Sequence, residues 1–290
     1  MFAPPQTIAY TVTKMKTVSV FLDKGGVGKT TSTAHFGVAL SEHDLDVLLI
    51  DLAGKQGDLA KHFGVWTDLP EADERWPNIA TVLSDDWSMV KEKLPNAAED
   101  MIVPTEEGPD LIPAHVGLDQ VDDDLASVPV PKRYQMLESF LDEDIEPLGY
   151  DIVLVDLPGL TNNVTLNGLW ATERVVVPVE LGEFERQQIG MLDDDIEELS
   201  ANFEKDIKMA MIVPNRVDTR TNLAEELLEE LDDDWSGLVA PAAVPKSQDI
   251  RNSQRNGETI LAYADDELSV TAERAAESYR KNSEALLEEL

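Results

Sequence analysis

Residues 24–31 read KGGVGKTT, and they follow an apolar run, TVSVFL, at residues 17–22. A strand feeding a glycine-rich loop that opens a helix constrains the fold more than anything else in this chain. Gly25, Gly26 and Gly28 let the backbone curl with its N–H groups turned inward and no side chain in the way. Lys29 then reaches the β- and γ-phosphates of a nucleotide, and the Thr30 hydroxyl is placed to ligate Mg²⁺. The helix that opens near Thr31 aims its positive end at the same anions. A solvated glycine turn is the bland alternative; strand, loop, GKT and helix in the required order argue against it. The expectation is a nucleoside triphosphate cradle.

The loop departs from the standard spacing G-x-x-x-x-G-K-[ST]. Asp23 stands where that pattern has glycine, and a second lysine, Lys24, opens the loop. The pattern [KR]-G-G-x-G-K-[ST] is the deviant Walker A form, and on it the chain resembles the ParA/MinD family of partitioning and positioning ATPases. Nitrogenase reductase and the tail-anchored-protein targeting ATPases are relatives of that family. The resemblance implies that Lys24 reaches the nucleotide of a partner subunit, so that a homodimer sandwiches ATP. It spans about residues 15–288, and its other anchors are the loop at Asp156, VVVP at 175–178 and the segment 244–260.

Composition narrows the branches. The chain has no cysteine, which excludes disulfides, thiolate-held iron–sulfur clusters and Cys-x-x-Cys zinc sites. This argues against the nitrogenase-reductase, scaffold-assembly and zinc-linked targeting branches. His35, His43, His62 and His115 show no metal-ligand spacing, so packing or surface roles are expected for them. Acidic residues number 58 against 23 basic, a net charge of −35, and they are spread along the chain rather than gathered in a tail. A basic partner is one explanation. A cytoplasm of high salt is the favoured one, because at about 1 M salt the Debye length is only ~3 Å and self-repulsion is screened. No apolar run approaches a membrane span, and the N-terminus lacks a signal-peptide pattern. Residues 1–14 are expected to be an extension, with one ATPase domain over 15–290.

Short apolar runs alternate with amphipathic segments. Strands are expected at 17–22, 46–51, 109–113, 151–156, 174–179 and 207–213, with a shorter one at 238–244. Helices are expected at 30–42, 130–146, 163–171, 184–203, 220–234, 247–255 and 265–288. This alternation predicts a doubly wound α/β fold with a mostly parallel sheet, helices on both faces and the ligand at the carboxyl ends of the strands. Residues 66–106 are expected to form short helices and loops around the rim of the site.

Two of these strands end in aspartate, Asp51 and Asp156. In a parallel sheet both lie at the edge that carries the loop. Mg²⁺ keeps most of its waters, so one or both carboxylates can hold those waters while Thr30 binds the ion. DLPG at 156–159 resembles the family's Walker B and second switch, D-x-P-P, with Gly159 in place of the second proline. DLAGKQGD at 51–58 resembles its first switch, D-x-D-P-Q-G-N, one residue longer. The family's second aspartate orients the attacking water, and this chain has Ala53 there. The resemblance then implies ATP held firmly and hydrolysed slowly, with Asp58 or Asp51 as substitutes, or a switch that fires only with a partner.

After the last strand comes PNRVD, 214–218. The resemblance makes Asn215 a reader of the adenine edge and Pro245 a contact for its face; NRVD also loosely matches the N-K-x-D guanine reader, with ATP the favoured base. The nucleotide-binding set is thus Lys24, Gly25, Gly26, Val27, Gly28, Lys29, Thr30, Thr31, Asn215 and Pro245. Lys24, Lys29, Asp51 and Asp156 are the catalytic candidates, and Thr30, Asp51 and Asp156 the magnesium set.

Three functions fit. The favoured one is a ParA-like partitioning or positioning ATPase that cycles on DNA or a protein matrix, with a ParB-like or adaptor activator. A MinD-like membrane-cycling ATPase would need a basic, bulky C-terminal amphipathic helix; here Ala272, Ala275, Ala276 and Tyr279 form a stripe that suits packing on the body. A metabolic enzyme of the dethiobiotin-synthetase kind is the third. DNA binding needs cations, and Lys246, Arg251, Arg255, Arg274, Arg280 and Lys281 are the candidates, with local salt bridges as their alternative role.

Overall fold

The computed structural model describes residues 14–54, 57–218 and 220–290. Most of the expected extension and Gln56 of the first switch therefore lie outside the described residues. The strands are β1 (Lys16–Val20), β2 (Val47–Asp51), β3 (Val103–Pro104), β4 (Asp110–Ile112), β5 (Ile152–Asp156), β6 (Arg174–Val179) and β7 (Lys208–Pro214). They form one sheet in the order β3-β4-β2-β5-β1-β6-β7. Every pairing is parallel except β3 with β4. The fold is the expected doubly wound α/β arrangement.

The sheet is parallel because its central strands are apolar on both faces. Along β5, Ile152 and Leu154 join one core cluster, while Val153 and Val155 join the other. Side chains of a strand alternate in direction, so such a run needs cover on both sides. On one face lie α1 (Lys29–Ser41), α2 (Asp58–His62), α10 (Gln248–Asn256) and α11 (Val270–Glu289). On the other lie α3 (Ile79–Val82), α4 (Trp87–Lys93), α5 (Leu118–Ala126), α6 (Met136–Phe140), α7 (Asn163–Thr172), α8 (Glu183–Phe203) and α9 (Asn222–Asp234). Asp51 and Asp156 end adjacent strands in direct register, which sets their carboxylates side by side at the carboxyl edge.

Four expectations are corrected. The helix expected over 130–146 is broken into Lys132–Tyr134, α6, a widened π-turn at Leu141–Ile145 and a last turn at Glu146–Leu148. Pro131 bars Val130 from helical geometry, and Pro147 removes a donor. The strand expected at 238–244 is only two isolated bridges, Ile212 with Val239 and Val217 with Pro245. The last helix starts at Val270, where the Ser269 hydroxyl accepts from the Ala272 N–H at 3.3 Å; a short turn at Asp265–Glu267 precedes it. The stretch 66–106 mostly covers one sheet face, with Ile79, Val82, Trp87 and Val90 buried, and only its start at Trp66 reaches the site. It also supplies β3, a two-residue antiparallel edge that no periodicity in the sequence marks.

The C-terminal helix packs on the body as its stripe implied. Ala272, Ala275, Ala276 and Tyr279 are all buried, and Tyr279 stacks on His35 with ring centroids 4.6 Å apart. Among the described residues, no helix is long and apolar enough to cross a membrane.

Candidate functional site

The loop between β1 and α1 is set by two glycines in left-handed geometry, Gly26 at φ 82° and Gly28 at φ 96°. Gly28 caps α1. Nothing lies within 4 Å of where a Cβ would stand at Gly25 or Gly26, so the concave side is open to a ligand. At Gly28 a Cβ would fall 2.3 Å from the Asn215 side-chain amide. Gly28→Ala is therefore expected to lower thermal stability by about 1–3 kcal/mol through strain and to weaken nucleotide binding by moving Asn215. Melting curves with and without nucleotide check both effects.

Lys29 is the buried cation of the loop. Its ammonium donates to the carbonyls of Leu22 at 3.1 Å and Lys24 at 2.6 Å. Burial depresses its pKa, while Asp156 and then Asp23 pull it back up. The Thr30 hydroxyl donates to Asp156 Oδ2 at 2.6 Å, and the Thr33 hydroxyl to Asp156 Oδ1 at 3.3 Å. Asp51 accepts from the backbone N–H of Ala53 at 2.9 Å and of Leu59 at 3.4 Å. Both carboxylates are buried. Burial pushes Asp156 up to about 7 against the opposing pull of Thr30, Lys29 and Thr33. Burial, then the charge of Asp156, holds Asp51 well above the usual carboxylate range. Two buried carboxylates at one strand edge, short of positive charge and beside a hydroxyl, fit a hydrated divalent cation: its charge would relieve both. Thr30, Asp51 and Asp156, the expected magnesium set, are brought together.

Lys24 is held within its own chain. Its ammonium forms an ion pair with Glu185 in the first turn of α8, and that hydrogen bond pulls the Glu185 carboxyl below its ordinary value. The second-switch loop closes on the same point: a Cβ at Gly159 would stand 2.8 Å from Lys29 Nζ and 3.1 Å from the Lys24 carbonyl oxygen. Glycine in place of the family's proline thus permits a close approach.

The first switch runs from Asp51 through Ala53 and Gly54 to Gly57, where α2 begins. Gly57 has φ 61°, and a Cβ there would overlap the Trp66 ring. Asp58 pairs with Lys61 at 3.2 Å and is the one carboxylate, among the described residues, lining a cavity of about 590 Å³ over the loop. Gly25, Lys29, Thr30 and Thr31 line the same cavity.

Asn215 is more committed than its expected role allows. Its side-chain NH₂ donates to the Val27 carbonyl at 2.7 Å, and its oxygen accepts from the Arg216 N–H at 2.9 Å. One N–H and one lone pair remain for a base. Asn215, Pro245 and Thr31 line a smaller pocket of about 270 Å³ continuous with the first. Three participants escaped the sequence reading. Arg216, at φ 55°, bonds the Gly26 carbonyl and Glu180. Gln254 bonds the Thr31 hydroxyl at 2.9 Å and His62 at 2.6 Å. Glu185 holds Lys24. Only the asparagine–arginine pair directly after β7 carried any signal for them.

His35 and His62 are buried and held near pKa 4 and 3, in each case by burial first; His35 meets the Thr31 carbonyl at 2.7 Å. His35 packs against Tyr279, whereas His62 also lines the cavity over the loop. Of the DNA candidates, Arg280 pairs with Glu42 at 2.7 Å and Lys281 with Glu277 at 3.4 Å. Arg251 and Arg255 line the cavity over the loop rather than a separate patch.

Comparison with known proteins gives a consistent result. The AAA domain family model AAA_31 matches residues 15–209. The chromosome-partitioning ATPase Soj of Thermus thermophilus is 27% identical over 274 residues, covering 94% of this chain and 96% of that protein. The chromosome partitioning protein ParA of Caulobacter vibrioides is 27% identical over 251 residues, covering 86% of this chain and 87% of that one. Among solved structures, cobyrinic acid a,c-diamide synthase from Mycobacterium smegmatis with bound ADP and magnesium superposes with a TM-score of 0.70 at 26% identity, over 94% of each chain.

Proposed function

The chain belongs to the AAA_31 family and is a ParA-like ATPase, and from that premise we propose that it is an ATP-controlled dimer switch that hydrolyses slowly and positions a cellular cargo. The observation that carries this reading is the pairing of an open cradle with a lysine it does not use. Lys29 lies buried in the loop, while Lys24, at the loop's start, is part-exposed and bound to Glu185. A cation placed there, and free to exchange one anion for another, suits a nucleotide bound to a second copy of the chain.

The backbone N–H groups of Gly25–Thr31 and the Lys29 ammonium bind the phosphates. Thr30, with Asp51 and Asp156 behind it, would hold the magnesium ion of ATP–Mg²⁺. When bound, that ion would supply positive charge to the phosphates as they react. Nothing at Ala53 can orient water. Asp58 is the carboxylate nearest that task, and its partner Lys61 competes for it. Hydrolysis by the protein alone is then expected on the order of 10⁻³–10⁻² s⁻¹, with Asp58→Asn about ten-fold slower, roughly one lost charged hydrogen bond. Phosphate-release assays check this. Release at 1 s⁻¹ or faster without a partner would sink the slow-switch reading.

Cycling on a matrix needs a partner that speeds hydrolysis, of the ParB-like or adaptor type. Of the six cations named for DNA, Lys246 and Arg274 are exposed and make no ion pair among the described residues. Arg280 and Lys281 are spent on ion pairs, and Arg251 and Arg255 face the nucleotide cavity. The apolar stripe of α11 is spent on the core, which leaves little for a membrane.

A further inference from the structure

We propose that Arg251 and Arg255 of α10 form a second phosphate clamp that closes on the bound nucleotide at the nucleoside end of its phosphate chain. The inference rests on the nucleotide reading above and adds residues to it.

Both arginines line the cavity that the P-loop lines. Arg251 also lines the smaller pocket beside Pro245, so it stands where the phosphate end meets the base end. Residues 251, 254 and 255 share one face of a helix, and Gln254 fixes which face it is. Its amide holds the Thr31 hydroxyl on one side and His62 on the other. The helix end is fixed too: Gly257, at φ 78°, approaches Gly64 so closely that a Cβ on it would stand 2.5 Å from the Gly64 Cα. The helix start is capped by the Ser247 hydroxyl, which accepts from the Asp249 N–H at 3.2 Å. A rigid element therefore presents two guanidinium groups, one turn apart, to the cavity.

Their place in the cavity, with no ion pair among the described residues, points to a ligand. The chain carries 58 carboxylate side chains, and Arg174, Arg186, Arg216, Arg220 and Arg280 each hold one, while Arg75, Arg133 and Arg274 make no ion pair among the described residues and stand away from the cavity over the loop. Arg251 and Arg255 are exposed and make no ion pair among the described residues. Of the arginines without a carboxylate among the described residues, Arg251 and Arg255 are the two that line the cavity over the loop, where an anion from outside can meet them. Guanidinium forks match phosphate oxygens, and this position reaches the phosphates common to di- and triphosphates. The clamp thus holds ATP and ADP alike and sets how slowly ADP leaves, which is how slowly the switch resets.

The test is the affinity and release rate of fluorescent ATP and ADP analogues with Mg²⁺, for wild type, Arg251→Ala, Arg255→Ala and Arg251→Lys, with circular dichroism as fold control. The expected result is about ten-fold or greater weakening of both nucleotides for each alanine variant, carried by faster release, with the ATP-to-ADP ratio unchanged and partial recovery in Arg251→Lys. Folded alanine variants that bind both nucleotides as tightly as wild type would overturn the clamp, as would loss of DNA binding alone with nucleotide affinity intact. A wild type that binds neither nucleotide would overturn the nucleotide reading and the clamp with it.

Discussion

Lys29→Ala weakens nucleotide binding steeply and leaves the sheet folded. The ammonium is buried beside the cradle, within reach of the carbonyls of Leu22 and Lys24 and in the field of Asp156. Without a nucleotide, those carbonyls are its partners. A triphosphate offers formal charge instead, and two charge-assisted bonds to it are worth about 3–6 kcal/mol. Their loss weakens binding by roughly a hundred-fold or more. The fold is hurt less, because two opposing changes nearly cancel. The variant leaves two carbonyls short of a donor, at about 1–3 kcal/mol each, but it no longer buries an ammonium, which also costs several kcal/mol. Calorimetric titration with ATP–Mg²⁺ reads the first effect and thermal melting the second. Binding within three-fold of wild type would contradict the assignment.

Asp156→Asn makes the nucleotide-free protein more stable at pH 8 and removes its response to magnesium. Burial raises the folded pKa of Asp156 from 3.8 to about 7. The folded state therefore binds a proton more tightly than the unfolded chain does, and stability falls as pH climbs from about 4 to about 7. Above that window the full cost is present, and asparagine removes it. Asparagine also keeps the local bonds, since its oxygen can accept from Thr33 and its amide can donate to the Thr30 hydroxyl once that hydroxyl turns. From Asp156 itself the gain is at most about 4 kcal/mol at pH 8 and near zero at pH 4, where the wild-type carboxyl is already neutral. Asp51 loses a like-charged neighbour in the same step, which adds to the gain. Melting at both pH values and one fixed salt concentration reads the difference, and a wild-type melt with ATP and Mg²⁺ should recover what the carboxylates cost. Equal stability of variant and wild type at pH 8 would mean that the pair is not strained. This is the trade expected of a functional site, where a group kept for a ligand costs stability without it.

Much of this was legible in the chain. The loop at 24–31, the strand-end aspartates and the parallel sheet follow from local pattern: consecutive apolar residues, glycines and a lysine at fixed spacing. What stayed hidden depends on distant approach. Glu185 lies 161 positions from Lys24, and nothing in the amphipathic pattern of α8 marks one glutamate as its partner. Gln254 and Thr31 are 223 positions apart and meet only because α10 packs beside α1 and α2. The arginines at 251 and 255 looked like a surface patch because helical spacing shows which residues share a face, not what that face opposes. Asn215 was found for its place after β7, but its bond to Val27 depends on how the loop crosses the sheet edge. The segment 130–146 was misread for the opposite reason: its apolar periodicity outweighed prolines that forbid a continuous helix.

The central claim is that Lys24 converts nucleotide binding into dimerisation. Light-scattering mass measurement tests it most directly, for wild type, Lys24→Ala and Glu185→Gln, each without nucleotide, with ADP and with ATP plus Mg²⁺. Wild type is expected to double its mass only with ATP. Lys24→Ala should bind ATP and stay monomeric, and Glu185→Gln, whose lysine is no longer held in its own chain, should dimerise at a lower ATP concentration than wild type. A wild type of constant mass, or a Lys24→Ala variant that dimerises as wild type does, would contradict it.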